Sequence, residues 1–134
     1  MMKYSTSRFL LTVIFLMITF LPAQMKHDMT PSVSEPGPVT PAAAKYVCMG
    51  MGEDRLFDKE LLPAVVGDKT YYGCCKGCQS RLLEDAGLRV AKDPVTGATV
   101  DKAVAVIGAQ KDGLIRYFES PATMAQYNAR FSRK

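Results

Sequence analysis

The sequence predicts a small α+β protein built from two short units, each a β-hairpin followed by a helix. Residues 64–72 place β-branched and aromatic side chains on both sides of a Gly67-Asp68 turn, which is typical of a hairpin. Residues 103–118 repeat this pattern around a second turn at 111–113. The predicted boundaries are 1–23 for a signal peptide, 24–44 for a Pro-rich flexible linker, 45–90 for the first unit and 91–134 for the second.

The first 23 residues have the organisation of a secretory signal. Lys3 and Arg8 precede an apolar run at 9–21, and the small residue Ala23 follows. The run is too short to span a bilayer comfortably, and no cysteine lies near the cleavage point to carry a lipid. We predict a periplasmic or secreted protein with no stable membrane insertion after signal cleavage; the alternative is a retained membrane anchor.

The linker at 24–44 is rich in Pro, Ser, Thr and Ala. Its prolines, at 31, 36, 38 and 41, are spaced so that we expect neither a helix nor a strand to run through it. We therefore predict a flexible tether that joins the signal segment to the folded region.

Charge and composition exclude several function classes. The formal net charge of +4 falls when the signal carries away Lys3 and Arg8, which leaves no concentrated basic surface for a nucleic acid. The chain has a single His, and it contains no Ser, His and Asp arrangement and no phosphate-binding loop. We predict that the protein is not an enzyme and binds no nucleic acid.

A short amphipathic helix follows the first hairpin. It is predicted from Cys78 to about Ala86, with Leu82 and Leu83 on its apolar side, and Gly87 is expected to end it.

The second unit has strand-like segments at 103–107 and 114–118 and then a helix. Ser120 is the predicted N-cap, Pro121 takes the first helical position, and the helix is expected to reach about residue 131.

An internal duplication relates the two units. Residues 72–78 align with residues 117–123, which places Glu119 where Cys74 stands and Thr123 where Cys78 stands. We therefore predict that the second unit has lost its thiols and serves as structure, or as a docking surface.

Three cysteines on one turn are the main functional signal. Cys74, Cys75 and Cys78 follow the first hairpin directly, and the hairpin is expected to bring Cys48 beside them. Thiolates favour soft and borderline cations. The turn leads into a helix N-terminus, whose dipole stabilises a thiolate, so Cys74 and Cys78 are expected to have lowered pKa values.

Such a three-sulfur site suits trigonal Cu(I). Zn(II) would need a fourth ligand, which Cys75 or a carboxylate could supply, because no His lies nearby. Met49 and Met51 flank Cys48 and carry thioethers that can bind Cu(I), although methionine more often fills gaps in a core. We predict Cu(I) as the bound ion and Zn(II) as the alternative.

Two other functions remain open for the same cysteines. In an oxidising compartment Cys48 could form a disulfide with one of the turn cysteines and stabilise an interaction module. The thiols could also exchange with a client disulfide, although the turn lacks the C-x-x-C spacing of thioredoxin-like sites.

The cysteine pattern resembles a known family. Cys48 with residues 49–51 after it, a hairpin that ends in Tyr71-Tyr72, and Cys74-x3-Cys78 at a helix start are similar to TRASH and YHS domains. Residues 93–131 are similar to the YHS pattern with its cysteines replaced. The resemblance implies a treble-clef-like fold that binds or senses copper or related soft metals, with Cys48, Cys74 and Cys78 as ligands. Together with the predicted export, the metal site predicts copper trafficking or resistance in the cell envelope, with a metal transporter or an acceptor metalloprotein as a candidate partner.

Overall fold

The computed structural model describes residues 35–133, which form a mixed α+β fold of small antiparallel sheets and two α-helices. The predicted signal peptide and the linker as far as residue 34 lie outside the described residues. The strands are β1 Val39–Pro41, β2 Val47–Cys48, β3 Arg55–Leu56, β4 Leu62–Val66, β5 Lys69–Gly73, β6 Val90–Lys92, β7 Thr99–Asp101, β8 Val106–Gln110 and β9 Ile115–Phe118. The helices are α1 Lys76–Glu84 and α2 Pro121–Ala129, with 3-10 turns at Ala44–Tyr46 and Ala86–Arg89.

The last part of the predicted linker is a strand. Val39–Pro41 pairs antiparallel with β8, and the Asn128 side chain holds Val39 through two hydrogen bonds, of 2.8 Å to its N–H and 2.9 Å to its carbonyl oxygen. Pro41 is compatible with this position because β1 lies at the edge of its three-stranded sheet. The expectation that no strand runs through residues 24–44 is therefore wrong for residues 39–41.

The first hairpin is confirmed. β4 pairs with β5 around the two-residue turn, where Gly67 adopts a left-handed φ of 64°. Helix α1 begins at Lys76, earlier than predicted, because the Cys75 side chain caps it. The helix ends at Glu84, and Gly87 lies in the following 3-10 turn.

Only one of the two predicted apolar leucines of α1 packs inward. Leu82 is fully buried in the core, whereas Leu83 is 48% exposed. The inward face of α1 is thus narrower than the sequence pattern indicated.

The second hairpin and its helix are also present. β8 begins at Val106 because residues 102–105 form a turn, in which the Asp101 carboxylate accepts the N–H of Ala103 at 2.9 Å. Ser120 caps α2 and shares a capping box with Thr123, as its position before Pro121 predicted. Helix α2 ends at Ala129, slightly short of the predicted end.

Both hairpins contribute to one hydrophobic core. Residues 35–133 belong to one compact unit, and core side chains from both sides of position 90 pack together. The buried core side chains are Val47, Met49, Ala64, Tyr71, Leu82, Val100, Ile107, Ala109, Ile115 and Tyr117. Among residues 35–133, no helix is long and apolar enough to cross a membrane.

Candidate metal centre

Three cysteine sulfurs from two distant segments converge at one point. Cys48 ends β2, Cys74 directly follows β5, and Cys78 lies in the first turn of α1. Their Sγ atoms all lie within 4.8 Å of one another, and those of Cys74 and Cys78 are 3.7 Å apart. The predicted meeting of these three cysteines is confirmed, and together they could hold a metal ion.

Two backbone contacts dock the hairpin onto the Cys48 loop. The N–H of Met49 donates to the carbonyl of Tyr72 at 2.8 Å, and the N–H of Cys74 donates to the Cys48 sulfur at 3.1 Å. The second contact also fixes the position of the Cys48 sulfur beside the turn that carries the other two cysteines.

Two glycines allow this close approach. A Cβ at Gly50 would lie 2.8 Å from the carbonyl oxygen of Cys78, and one at Gly73 would lie 2.8 Å from the amide nitrogen of Gln79. Both obstacles are backbone atoms in the first turn of α1, and they cannot move aside as a flexible side chain would. The loop and the end of β5 therefore need glycine to bring the sulfurs together.

The fourth cysteine lies outside this cluster. Cys75 is exposed, and its sulfur accepts the N–H of Cys78 at 3.4 Å as the N-cap of α1. Cys48 is buried, while Cys74 and Cys78 are half-buried, and all four cysteines are free thiols. The structure therefore groups three of the four cysteines and places the fourth at the surface beside them.

The two methionines that follow Cys48, Met49 and Met51, occupy different environments. The side chain of Met49 is fully buried in the shared core, where packing accounts for it. Met51 is half-buried.

The expected lowering of the pKa of Cys74 and Cys78 is wrong for the protein without a cation. The Cys48 thiol, followed by burial, raises the pKa of Cys74, and burial followed by the neighbouring thiols raises the pKa of Cys78 to about 12. The N-cap, Cys75, is the cysteine with a lowered pKa, because it accepts the backbone N–H of Cys78. The helix dipole alone predicts lowered values, but burial and the Cys48 thiol act in the opposite direction on both Cys74 and Cys78. A bound cation would stabilise their thiolates.

The second half of the chain contains a matching centre made without sulfur. We call residues 47–84 the first module and residues 92–129 the second module, because α1 and α2, with the residues that directly precede them, correspond at a spacing of 45 residues. Cys48 then corresponds to Asp93, which is 1% exposed. Asp93 Oδ2 accepts the N–H of Glu119 at 2.9 Å, as the Cys48 sulfur accepts the N–H of Cys74.

Asp93 is saturated with hydrogen-bond donors. Its Oδ1 accepts the N–H groups of Val95 at 2.7 Å and of Thr96 at 3.3 Å. Burial alone would raise the pKa of Asp93, but these N–H groups, that of Glu119 and the Thr123 side chain outweigh it, so the pKa lies below its usual value. The carboxylate closes the second module as an ionised hydrogen-bond acceptor.

The sequence prediction for Asp93 is incomplete. Residues 93–97 are predicted only as a turn, and the predicted duplication pairs only residues 72–78 with residues 117–123. Extending the same 45-residue spacing back to Cys48 would have identified Asp93 as its counterpart.

A buried ion pair connects the Cys48 loop to the second module. Lys102 donates to Asp54 Oδ2 and, at 3.3 Å, to the carbonyl of Met49, and the Tyr117 hydroxyl donates to the same Asp54 oxygen at 2.7 Å. Lys102 and Asp54 are 6% and 7% exposed, and burial raises the pKa of Asp54 although both partners oppose it. These contacts fix the loop next to Cys48, and no local sequence pattern marks them.

Comparison of the chain with protein-family models, with curated proteins and with solved structures finds no match.

Proposed function

We propose that this protein is an exported soft-metal-binding protein that holds Cu(I) through Cys48, Cys74 and Cys78. The observation that carries the proposal is the convergence of these three sulfurs, from two segments, within 4.8 Å. A trigonal or tetrahedral ion with metal–sulfur bonds of about 2.3 Å separates its sulfurs by about 3.8–4.0 Å. The distance of 3.7 Å between the sulfurs of Cys74 and Cys78 is close to that requirement.

The ligand count favours Cu(I) over Zn(II). Within residues 35–133, the cluster contains these three cysteines and no additional His, Cys, Asp or Glu. A structural zinc site has four ligands, whereas Cu(I) is satisfied by soft thiolates in smaller number. Zn(II) remains the second candidate, with water or an external ligand completing its shell.

The biological role we propose is copper trafficking or resistance in the cell envelope. Residues 1–23 would direct the chain to the periplasm or out of the cell, and a metal transporter or an acceptor metalloprotein would be the partner. The resemblance to TRASH and YHS domains supports metal handling as the role. In this proposal the protein catalyses no reaction.

Metal uptake by the reduced full chain tests the proposal. We expect native mass spectrometry to show one Cu(I) per chain, and X-ray absorption to show sulfur as the neighbouring atoms. Cys48→Ser removes the innermost ligand and should lose the ion. Cys75→Ser is the matched control, because it removes a sulfur outside the cluster, and it should retain the ion.

The same preparation distinguishes the two alternatives. A protein that takes up neither Cu(I) nor Zn(II) when reduced would end the proposal. Marked destabilisation on reduction would then support a disulfide-stabilised interaction module, and a strongly oxidising reduction potential would support thiol–disulfide exchange.

A further inference from the structure

We propose that Cys75 is the exchange ligand of the site, the exposed sulfur through which Cu(I) enters the buried cluster and leaves it for a partner. This inference rests on the metal-binding function proposed above. It assigns Cys75 to the transfer of the ion and the other three cysteines to holding it.

The solvent exposure of the four cysteines decreases from Cys75 to Cys48. Cys75 is exposed, Cys74 and Cys78 are half-buried, and Cys48 is fully buried. A donor or acceptor protein cannot reach Cys48, so an incoming ion has to meet an outer sulfur first. Cys75 is the outermost of the four and is adjacent in the chain to Cys74.

Access to the Cys75 sulfur is open on its helical side. Gly77, two residues after Cys75, is exposed and has no side chain. A Cβ at Gly77 would lie 3.7 Å from the Cys75 sulfur. The sulfur also lies 3.4 Å from the amide nitrogen of Cys78, one of the half-buried ligands. An ion bound at Cys75 therefore lies beside the helical turn that carries that ligand.

Helix capping does not explain a cysteine at this position. Ser120 is the counterpart of Cys75 in the second module; its φ and ψ are −154° and 161°, against −153° and 170° for Cys75. The Ser120 hydroxyl accepts the N–H of Thr123 at 3.2 Å, as the Cys75 sulfur accepts the N–H of Cys78. Serine is a preferred N-cap residue, so sulfur at this position indicates a second role beyond the cap.

The transfer is a ligand exchange without oxidation or reduction. Cu(I) arrives bound to thiolates of a carrier; a Cu–S bond to Cys75 forms as one Cu–S bond to the carrier breaks. The proton released by the Cys75 thiol goes to the thiolate that leaves. Bonds to Cys74, Cys78 and Cys48 then replace the remaining carrier bonds and the bond to Cys75. The protons that these three thiols release go to the departing carrier thiolates and to the Cys75 thiolate, any excess goes to water, and copper stays Cu(I) throughout. The partner chemistry is thus a carrier that presents thiolate or thioether ligands at its surface.

Cys75→Ser tests this role because serine preserves the cap. The full chain, reduced and loaded with one Cu(I), is mixed with a chromophoric Cu(I) chelator, and the transfer rate is followed by stopped-flow absorbance. We expect transfer to slow by roughly tenfold or more, since a positioned ligand makes the first step intramolecular. Stoichiometry and equilibrium affinity should stay at the wild-type values. Ser80→Ala, at an exposed position in α1, is the control and should transfer at the wild-type rate.

Each other outcome overturns a defined part of the argument. A Cys75→Ser protein that transfers Cu(I) at the wild-type rate removes the exchange role and leaves the metal site intact. A Cys75→Ser protein with lowered affinity makes Cys75 a holding ligand and also overturns the inference. A wild-type chain that binds no Cu(I) rejects the proposed function itself. Metal uptake is therefore measured before any transfer rate.

Discussion

In each module a loop, a hairpin and a helix meet at one point. A cysteine sulfur connects the loop to the end of the hairpin in the first module, and an aspartate carboxylate does so in the second. In both modules the residue at the start of the loop accepts the N–H that follows the hairpin, as Cys48 and Asp93 show. Asp93 receives enough N–H donors to be ionised while buried. Burial and the Cys48 thiol raise the pKa values of Cys74 and Cys78, so a bound cation would stabilise the thiolates of the first module. One backbone frame therefore supports two ways of closing the same junction.

The modules also differ in how closely the helix approaches. Gly50 and Gly73 face the first turn of α1 with no space for a Cβ. Their counterparts in the second module are Val95 and Phe118, which carry full side chains. In the second module the hydrogen bonds of Asp93 connect the loop to the end of the hairpin. In the first module three sulfurs can share one ion only if the loop, the hairpin and α1 approach one another more closely.

The largest effect should come from removing the carboxylate of the second module. Asp93→Ala leaves the partly buried N–H groups of Val95, Thr96 and Glu119 without the carboxylate that accepts them. Each unsatisfied donor costs about 1–3 kcal/mol, so we expect a loss of about 4 kcal/mol in the free energy of unfolding. Urea denaturation of the metal-free protein measures it. A loss below about 1 kcal/mol would show that the carboxylate is not what closes this module.

The pH dependence gives an independent check. The folded pKa of Asp93 is lowered, so its contribution is present above the unfolded value of about 3.9 and is lost as pH falls through the folded value. Wild-type stability should therefore decrease below about pH 4. In Asp93→Asn, which keeps the shape and one acceptor oxygen, this part of the decrease should be missing.

These features differ in how far the sequence predicts them. The hairpin around Gly67 and the cap at Ser120 follow from local patterns, and the meeting of the cysteines follows from hairpin closure. Asp93 looks like an ordinary turn residue until the duplication is extended to it. The pair of Lys102 and Asp54 joins positions 48 residues apart, and it depends on tertiary packing that no local pattern records.

The second-largest effect should come from transplanting the second module's residues into the first. The triple variant Cys48→Asp, Cys74→Glu and Cys78→Thr should fold without metal, because Asp at position 48 can accept the N–H of residue 74 as Asp93 accepts that of Glu119. The wild-type protein should gain about 2.7 kcal/mol of stability when free Cu(I) is at 100 times its dissociation constant. The triple variant should gain nothing.

Thermal unfolding with and without Cu(I) compares the two proteins. Cys48→Ser is the control. It should lose the response to metal, and it lacks the carboxylate that the triple variant introduces at position 48. If the triple variant still gained stability with Cu(I), the cluster of three sulfurs would not be the binding site.

A smaller effect is expected from filling the close approach in the first module. Gly50→Ala puts a Cβ against the backbone of Cys78, and overpacking of this kind costs about 1–3 kcal/mol. Because the strain separates the Cys48 loop from α1, Cu(I) affinity should fall as well, as measured by chelator competition. Gly52→Ala is the matched control, since no atom lies within 4 Å of a Cβ there. It should change stability by no more than about 0.5 kcal/mol. Equal effects at both positions would remove the argument for close approach.

The smallest effect compares the two helix caps. Ser120→Ala removes a capping box and should cost about 1 kcal/mol in the free energy of unfolding. Cys75→Ala should cost the metal-free protein less, because a thiol is a weaker acceptor than a hydroxyl and this cap is fully exposed. Urea denaturation of both variants under reducing conditions measures the difference. If Cys75→Ala were as costly as Ser120→Ala, capping alone would account for the Cys75 sulfur, and the case for a second role in metal transfer would lose its main support.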